Sequence, residues 1–207
     1  MKHEIQPRTL ALIAGGSYWF IFFAAIFANF FAIESLKNDP LVTVQQNDML
    51  VRFGIVAFMI TVIFDVVVAW ALNDLFRTNP LTLLSTFFRM MHAVIMGVAI
   101  FALPGVLALD SGEEILKQVE MFNTIWLIGL FFFGLHIILL GKILGKPILI
   151  SVFLVIAGSM YMLDTLAHFV LPDYQAYADI FLALVAIPSI LGEMSFAVWL
   201  LLKGGKS

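Results

Sequence analysis

Cysteine is absent from this 207-residue chain. That excludes disulfide frameworks, thiolate zinc centres, iron–sulfur clusters and cysteine nucleophiles, and leaves His, Asp, Glu, Tyr and Ser for chemistry. Charge is scarce too. Asp, Glu, Lys and Arg make up 12% of the residues against 62% hydrophobic ones, too little polar surface to cover a globule in water. With a net charge of −3 and no basic stripe, nucleic acid is not an expected partner. Low-complexity tracts and soluble appended domains are missing. So are His-Glu-x-x-His, Gly-x-Ser-x-Gly, the phosphate loop and Gly-x-Gly-x-x-Gly, so no nucleotide cofactor is expected.

What is present is apolar length. Six runs, each of about twenty residues or more, suit helices that cross about 30 Å of hydrocarbon. The reading is an all-α polytopic integral membrane protein, one six-helix transmembrane domain over 1–207 with the lipid bilayer as its partner. The spans fall at about 10–33, 52–74, 81–108, 121–141, 147–171 and 177–202. The first run exceeds the roughly 7–15 apolar residues of a secretion-signal core and lacks a clear cleavage site, so it reads as a span. Abundant Phe, Gly and Met suit helices that face acyl chains on one side and pack closely on the other. Ala24, Ala28 and Ala32 form a small-residue packing stripe on the first helix, and Gly141-x-x-x-Gly145 marks a tight turn after the fourth.

Six crossings put Lys2, Arg8, Arg77, Lys142, Lys146, Lys203 and Lys206 on one side and only Lys37, Arg52 and Lys117 on the other. The positive-inside rule then places both termini in the cytoplasm, for a protein of the cytoplasmic (inner) membrane. The opposite side carries Glu34, Asp39, Asp48, Asp110, Glu113, Glu114 and Glu120. Its connections, around 34–51 and 109–120, read as solvated; Ser111 and Glu114 have the spacing of a capping box opening a short surface helix.

Several spans carry an ionisable residue near the middle, where a charge costs between about 2.5 and more than 10 kcal/mol and persists only with a partner or a role. Helical rise converts position into height. From the cytoplasmic ends, His136 lies at about 9 Å, Arg89 at about 12 Å, Asp65 at about 13 Å, Glu193 at about 15 Å and His92 at about 16 Å. Asp164, counted down from Pro172, arrives at roughly 18 Å, and Tyr18 and Tyr161 fall near about 12 to 14 Å. One slab thus holds ionisable groups from five helices. Spacings of three and four put Arg89 with His92, Tyr161 with Asp164 and His168, Ser189 with Glu193, and Thr61 with Asp65 on common faces. Pro188 frees the carbonyl of Leu184 as a further acceptor. His168, nearer the outer boundary, reads as interfacial, and His3 has no role.

Arg89 with Asp65 or Glu193 can be a structural ion pair that fixes helix docking. One arginine does not neutralise Asp65, Asp164 and Glu193 together, so at least one acid is protonated, paired with an imidazolium or bound to a cation. That surplus favours a ligand site made of Asp65, Arg89, His136, Tyr161, Asp164 and Glu193.

The order of these segments resembles an uncharacterised bacterial membrane-protein family, domain of unknown function 4386. The resemblance rests on Arg8-Thr-Leu-Ala-Leu-Ile-Ala-Gly15, Asp65-Val-Val-Val-Ala and Phe88-Arg89, then Phe133-Gly134-Leu135-His136 with Leu140-Gly141. Ala157-Gly158 with Tyr161 and Asp164, Pro188, Gly192-Glu193 and Trp199-Leu-Leu complete it over nearly the whole chain. At His92 the family pattern commonly has an acid. The resemblance implies six helices and no assigned activity.

Three readings follow. The slab binds or translocates a proton, a metal ion or a small polar ligand, as intramembrane carboxylates and histidines do in transporters. A central Asp in both the second and fifth helices fits an inverted repeat of three plus three. Alternatively, His92, His136, Asp164 and Glu193 hold a divalent metal such as zinc, and its water cleaves a lipid-like substrate; the roughly 7 Å between the two His heights weighs against this. In the third, the slab only specifies packing in a structural or sensory protein. A second copy of the chain is a candidate partner, and the cofactor is open.

Overall fold

The computed structural model describes residues 5–206; Lys2 and His3 lie outside them. Six helices are long and apolar enough to cross a membrane: α1 Pro7–Asn38, α2 Asp48–Leu75, α3 Thr82–Ala108, α4 Gly112–Leu144, α5 Ile148–Val170 and α6 Tyr174–Leu202. No strand occurs among the described residues. The protein is an all-helical bundle of membrane-spanning length. Its termini share one face, here the terminal face.

Helix ends run further than the apolar runs. Proline at the first helical position starts α1 at Pro7, where a missing N–H costs nothing. The stretch around 34–51, expected as a solvated loop, is helical: α1 continues to Asn38, and Pro40–Gln46 folds back as a short helix with the Thr43 hydroxyl donating to Ser35 O at 2.9 Å. The surface helix expected near 112–120 is instead the first two turns of α4, held in the bundle because Ile115, Val119 and Phe122 bury one face. Ser111 sits at its N-cap but makes no side-chain capping bond, so the capping box does not form.

Small residues set two seams. Between the antiparallel α4 and α5, a Cβ on Gly134 would meet Gly158 O at 2.6 Å and one on Gly141 would meet Ser151 O at 2.7 Å. Seven residues before Gly134, Leu127 O accepts from the Thr165 hydroxyl at 3.1 Å. A repeat of seven with small residues at the crossing lets the two backbones nearly touch. Between α3 and α4 a second seven-residue register pairs Ser85 with His136 and His92 with Gly129. Gly141 therefore belongs to a seam, and Gly145, at φ 62°, makes the turn after α4. Ala28 and Ala32 of α1 are buried, with Ala32 against Gly54 of α2.

Each helix packs on its neighbours in sequence, and the last eight residues of α6 return to α1. Arg8 joins the two ends: its guanidinium donates to Leu200 O and Gly204 O, both at 3.0 Å, and to Leu201 O. A cation on the last carbonyls of a helix complements both their unsatisfied acceptors and the helix dipole. Two apolar cores result. The one near the terminal face draws on α1, α2, α4, α5 and α6; the one near the opposite face draws on α1 to α4 and the 40–46 helix alone.

Candidate functional site

The two cores leave a polar layer between them, to which every helix contributes. Asp65 of α2 accepts from Arg89 of α3 at 2.6 Å, with His92 Nε2 3.6 Å from its other oxygen. Arg89 also donates to the Tyr18 hydroxyl of α1 at 2.8 Å and to His136 Nε2 of α4 at 3.2 Å. Tyr161 of α5 donates to Glu193 of α6 at 3.1 Å. Arg89, Asp65 and His136 are only 1%, 3% and 2% exposed, so the charges face one another and not lipid.

Arg89 can only donate, so His136 Nε2 is the acceptor. Its proton is then on Nδ1, 3.0 Å from Ser85 O and 2.8 Å from the Ser85 hydroxyl. Both imidazole nitrogens are engaged. The guanidinium also lies over the rings of Tyr18 and Phe133, at 4.9 and 5.4 Å from their centroids.

Asp65, Arg89, His92, His136, Tyr161 and Glu193 thus form one layer. Asp164 does not join it. It accepts from the Tyr174 hydroxyl at 2.6 Å, because α6 begins at Tyr174 and its phenol reaches back along α5. The four residues read as metal ligands are therefore dispersed: His136 is held by Arg89 and Ser85, Glu193 by Tyr161, Asp164 by Tyr174, and His92 faces Asp65. Among the described residues no group of three or more His, Asp and Glu is placed to hold a metal. His168 packs edge-on against Tyr174 with centroids 4.6 Å apart, a contact tying α5 to the start of α6.

A cavity of about 560 Å³ rises from this layer toward the opposite face. That volume lies within the range of small-molecule sites. Asp65, Arg89, Tyr161 and Glu193 form its floor; Phe22, Ala25 and Phe30 of α1 face Leu182, Ala186 and Ser189 of α6 across its mouth. There Ala178–Ser189 of α6 packs mainly on α5. Both helices at the mouth carry a π-helical turn, Ala28–Ile33 in α1 and Ile190–Met194 in α6. A wider turn shifts the face that later residues present, and such turns recur at functional sites. Asn29 and Glu193, one in each π turn, line the cavity. Downstream of Pro188 the helix is relieved by that turn; Leu184, expected to supply an acceptor, is not among the lining residues.

The family model described as Domain of unknown function (DUF4386) matches residues 13–204. This chain belongs to that family. An uncharacterized protein of the archaeon Archaeoglobus fulgidus is 29% identical over 160 residues, which cover 74% of this chain and 85% of that protein. No solved structure matches. The family carries no assigned activity, so any function has to come from the layer and its cavity.

Proposed function

We propose that this protein binds a small ligand with a polar end, admitted sideways from the bilayer between the outer halves of α1 and α6. The observation that carries the reading is a cavity of about 560 Å³ with a polar floor at mid-depth, opening where α6 leaves α1. Walls such as Ile21, Phe22 and Leu182 suit an apolar body, and the Glu193 and Tyr161 end suits a head that forms hydrogen bonds. Metal-dependent hydrolysis finds no comparable support, since both nitrogens of His136 are committed and Asp164 lies away from the floor.

We place the protein in the cytoplasmic membrane with both termini cytoplasmic. The support is the excess of Arg8, Arg77, Lys142, Lys146, Lys203 and Lys206 at the terminal face over Lys37, Arg52 and Lys117 at the other.

The test fills the cavity. Wild type and Ala186→Trp, in lipid nanodiscs with empty discs subtracted, are titrated calorimetrically with phenethylamine, phenethyl alcohol and hydrocinnamate. Saturable one-to-one binding of at least one probe, lost in Ala186→Trp, is expected. No saturable binding, or equal binding by the filled variant, contradicts the reading.

A further inference from the structure

What the cavity can hold depends on which hydrogen-bonding groups it leaves free. Several of its neutral donors are committed to acceptors of the protein itself. The hydroxyls of Thr61 and Ser189 donate to Phe58 O and Val185 O, each at 2.7 Å, and the Asn29 amide donates to Ala25 O at 2.9 Å. Tyr161 gives its proton to Glu193. The two terminal nitrogens of Arg89 are taken by Tyr18, His136 and Asp65. Oxygens remain. Asn29, Thr61, Ser189 and Glu193 line the cavity, and each keeps oxygen lone pairs able to accept.

Charge points the same way. Arg89 is matched by Asp65 at 2.6 Å, whereas Glu193 has Tyr161 as its hydrogen-bond partner and no basic side chain in ion-pair contact among the described residues. A carboxyl group at mid-depth facing a cavity calls for a cation or a proton. Phe22, Phe30, Trp126 and Phe133 also line the cavity, the last with a guanidinium over its ring. An aromatic lining that includes a carboxylate favours an organic cation, while no group of three or more His, Asp and Glu is placed to hold a metal ion among the described residues.

We propose that the cavity takes an organic ammonium ion with an apolar body, its N–H groups against Glu193 and the neighbouring oxygens. This rests on the lateral-cavity reading and adds the charge and hydrogen-bonding sense of the ligand. The same three probes decide it, because they share one aromatic body and differ in the head: ammonium, hydroxyl or carboxylate.

Phenethylamine should bind at least about tenfold more tightly than either of the others, the difference expected for a hydrogen bond to a charged group. Glu193→Gln should bring the amine down to the affinity of the alcohol, and Glu193→Asp should keep the preference. Alcohol or acid binding as tightly as the amine overturns the inference, as does a monodisperse Glu193→Gln protein with unchanged amine affinity or a wild type that gives no amine heat. If Glu193→Gln does not fold, the wild-type series alone still decides. Probe binding that ignores head charge yet vanishes in Ala186→Trp leaves the cavity standing and removes only the ammonium. Amine binding that survives in Ala186→Trp removes the cavity reading and this inference with it.

Discussion

Near the termini, α6 is packed into the bundle: Phe196, Ala197 and Leu200 are buried beside Leu10, Ala11 and Ala14, and Arg8 caps its last carbonyls. Near the opposite face the same helix, over Ala178–Ser189, buries only Ser189. One helix therefore has two environments, divided by the π turn that carries Glu193. The difference teaches that α6 is anchored by its half near the termini, while the core near the opposite face is built without it and leaves its other half free to border a cavity.

Breaking the junction should have the largest effect. Arg89→Ala leaves Asp65 buried without its cation, a loss of about 3–5 kcal/mol; folded yield and melting temperature in detergent should fall together. An Arg89→Ala protein as stable as wild type would mean that the polar layer does not hold the halves together. Next comes the closed seam. Gly158→Val places methyl groups against Gly134 O and Ile138, and overpacking of that kind costs about 1–3 kcal/mol. Gly97→Ala, on a face with nothing within 4 Å, should stay within about 0.5 kcal/mol on the same melting assay.

The clamp is smaller. Arg8→Gln removes a guanidinium from three carbonyls and should cost about 1–2 kcal/mol; Arg8→Lys should not restore it, because a point charge lacks the planar fork. Smallest is Leu182→Ala in the open half. With its side chain exposed, it should shift stability by less than about 0.5 kcal/mol while weakening probe binding. A large drop in melting temperature there would mean that the part of α6 near the opposite face is packed after all.

Apolar run length was enough to read six helices, since hydrocarbon thickness dictates it. Rise per residue set Asp65, Arg89, His92, His136, Tyr161 and Glu193 at a common depth, and the fold joins these into one layer. The same arithmetic did not give the partner of Asp164, because depth along α5 says nothing about a phenol arriving from the next helix. Arg8 read as an orientation charge; its role as a clamp depends on α6 returning beside α1, which no local spacing encodes. The seam of Gly134, Gly141, Ser151 and Gly158 could have been found from its seven-residue spacing. The π turn of α1 left no comparable mark, since Ala28–Ile33 contains neither Pro nor Gly, whereas that of α6 follows Pro188 and contains Gly192.

Two serines test the open half against the closed one most directly. Ser189, 8% exposed, lines the cavity, and Ser151, 9% exposed, lies on the α4–α5 seam opposite Gly141. The chain has no cysteine of its own, so Ser189→Cys and Ser151→Cys give single thiols without background. Treated in liposomes with a membrane-permeant maleimide, Ser189→Cys should react and Ser151→Cys should not, although Ser151 is only three residues from the start of its helix. Ala186→Trp should then protect the thiol at 189. Equal reaction at both positions, or a thiol at 189 that stays unmodified while that at 151 reacts, would contradict an open half above a closed one.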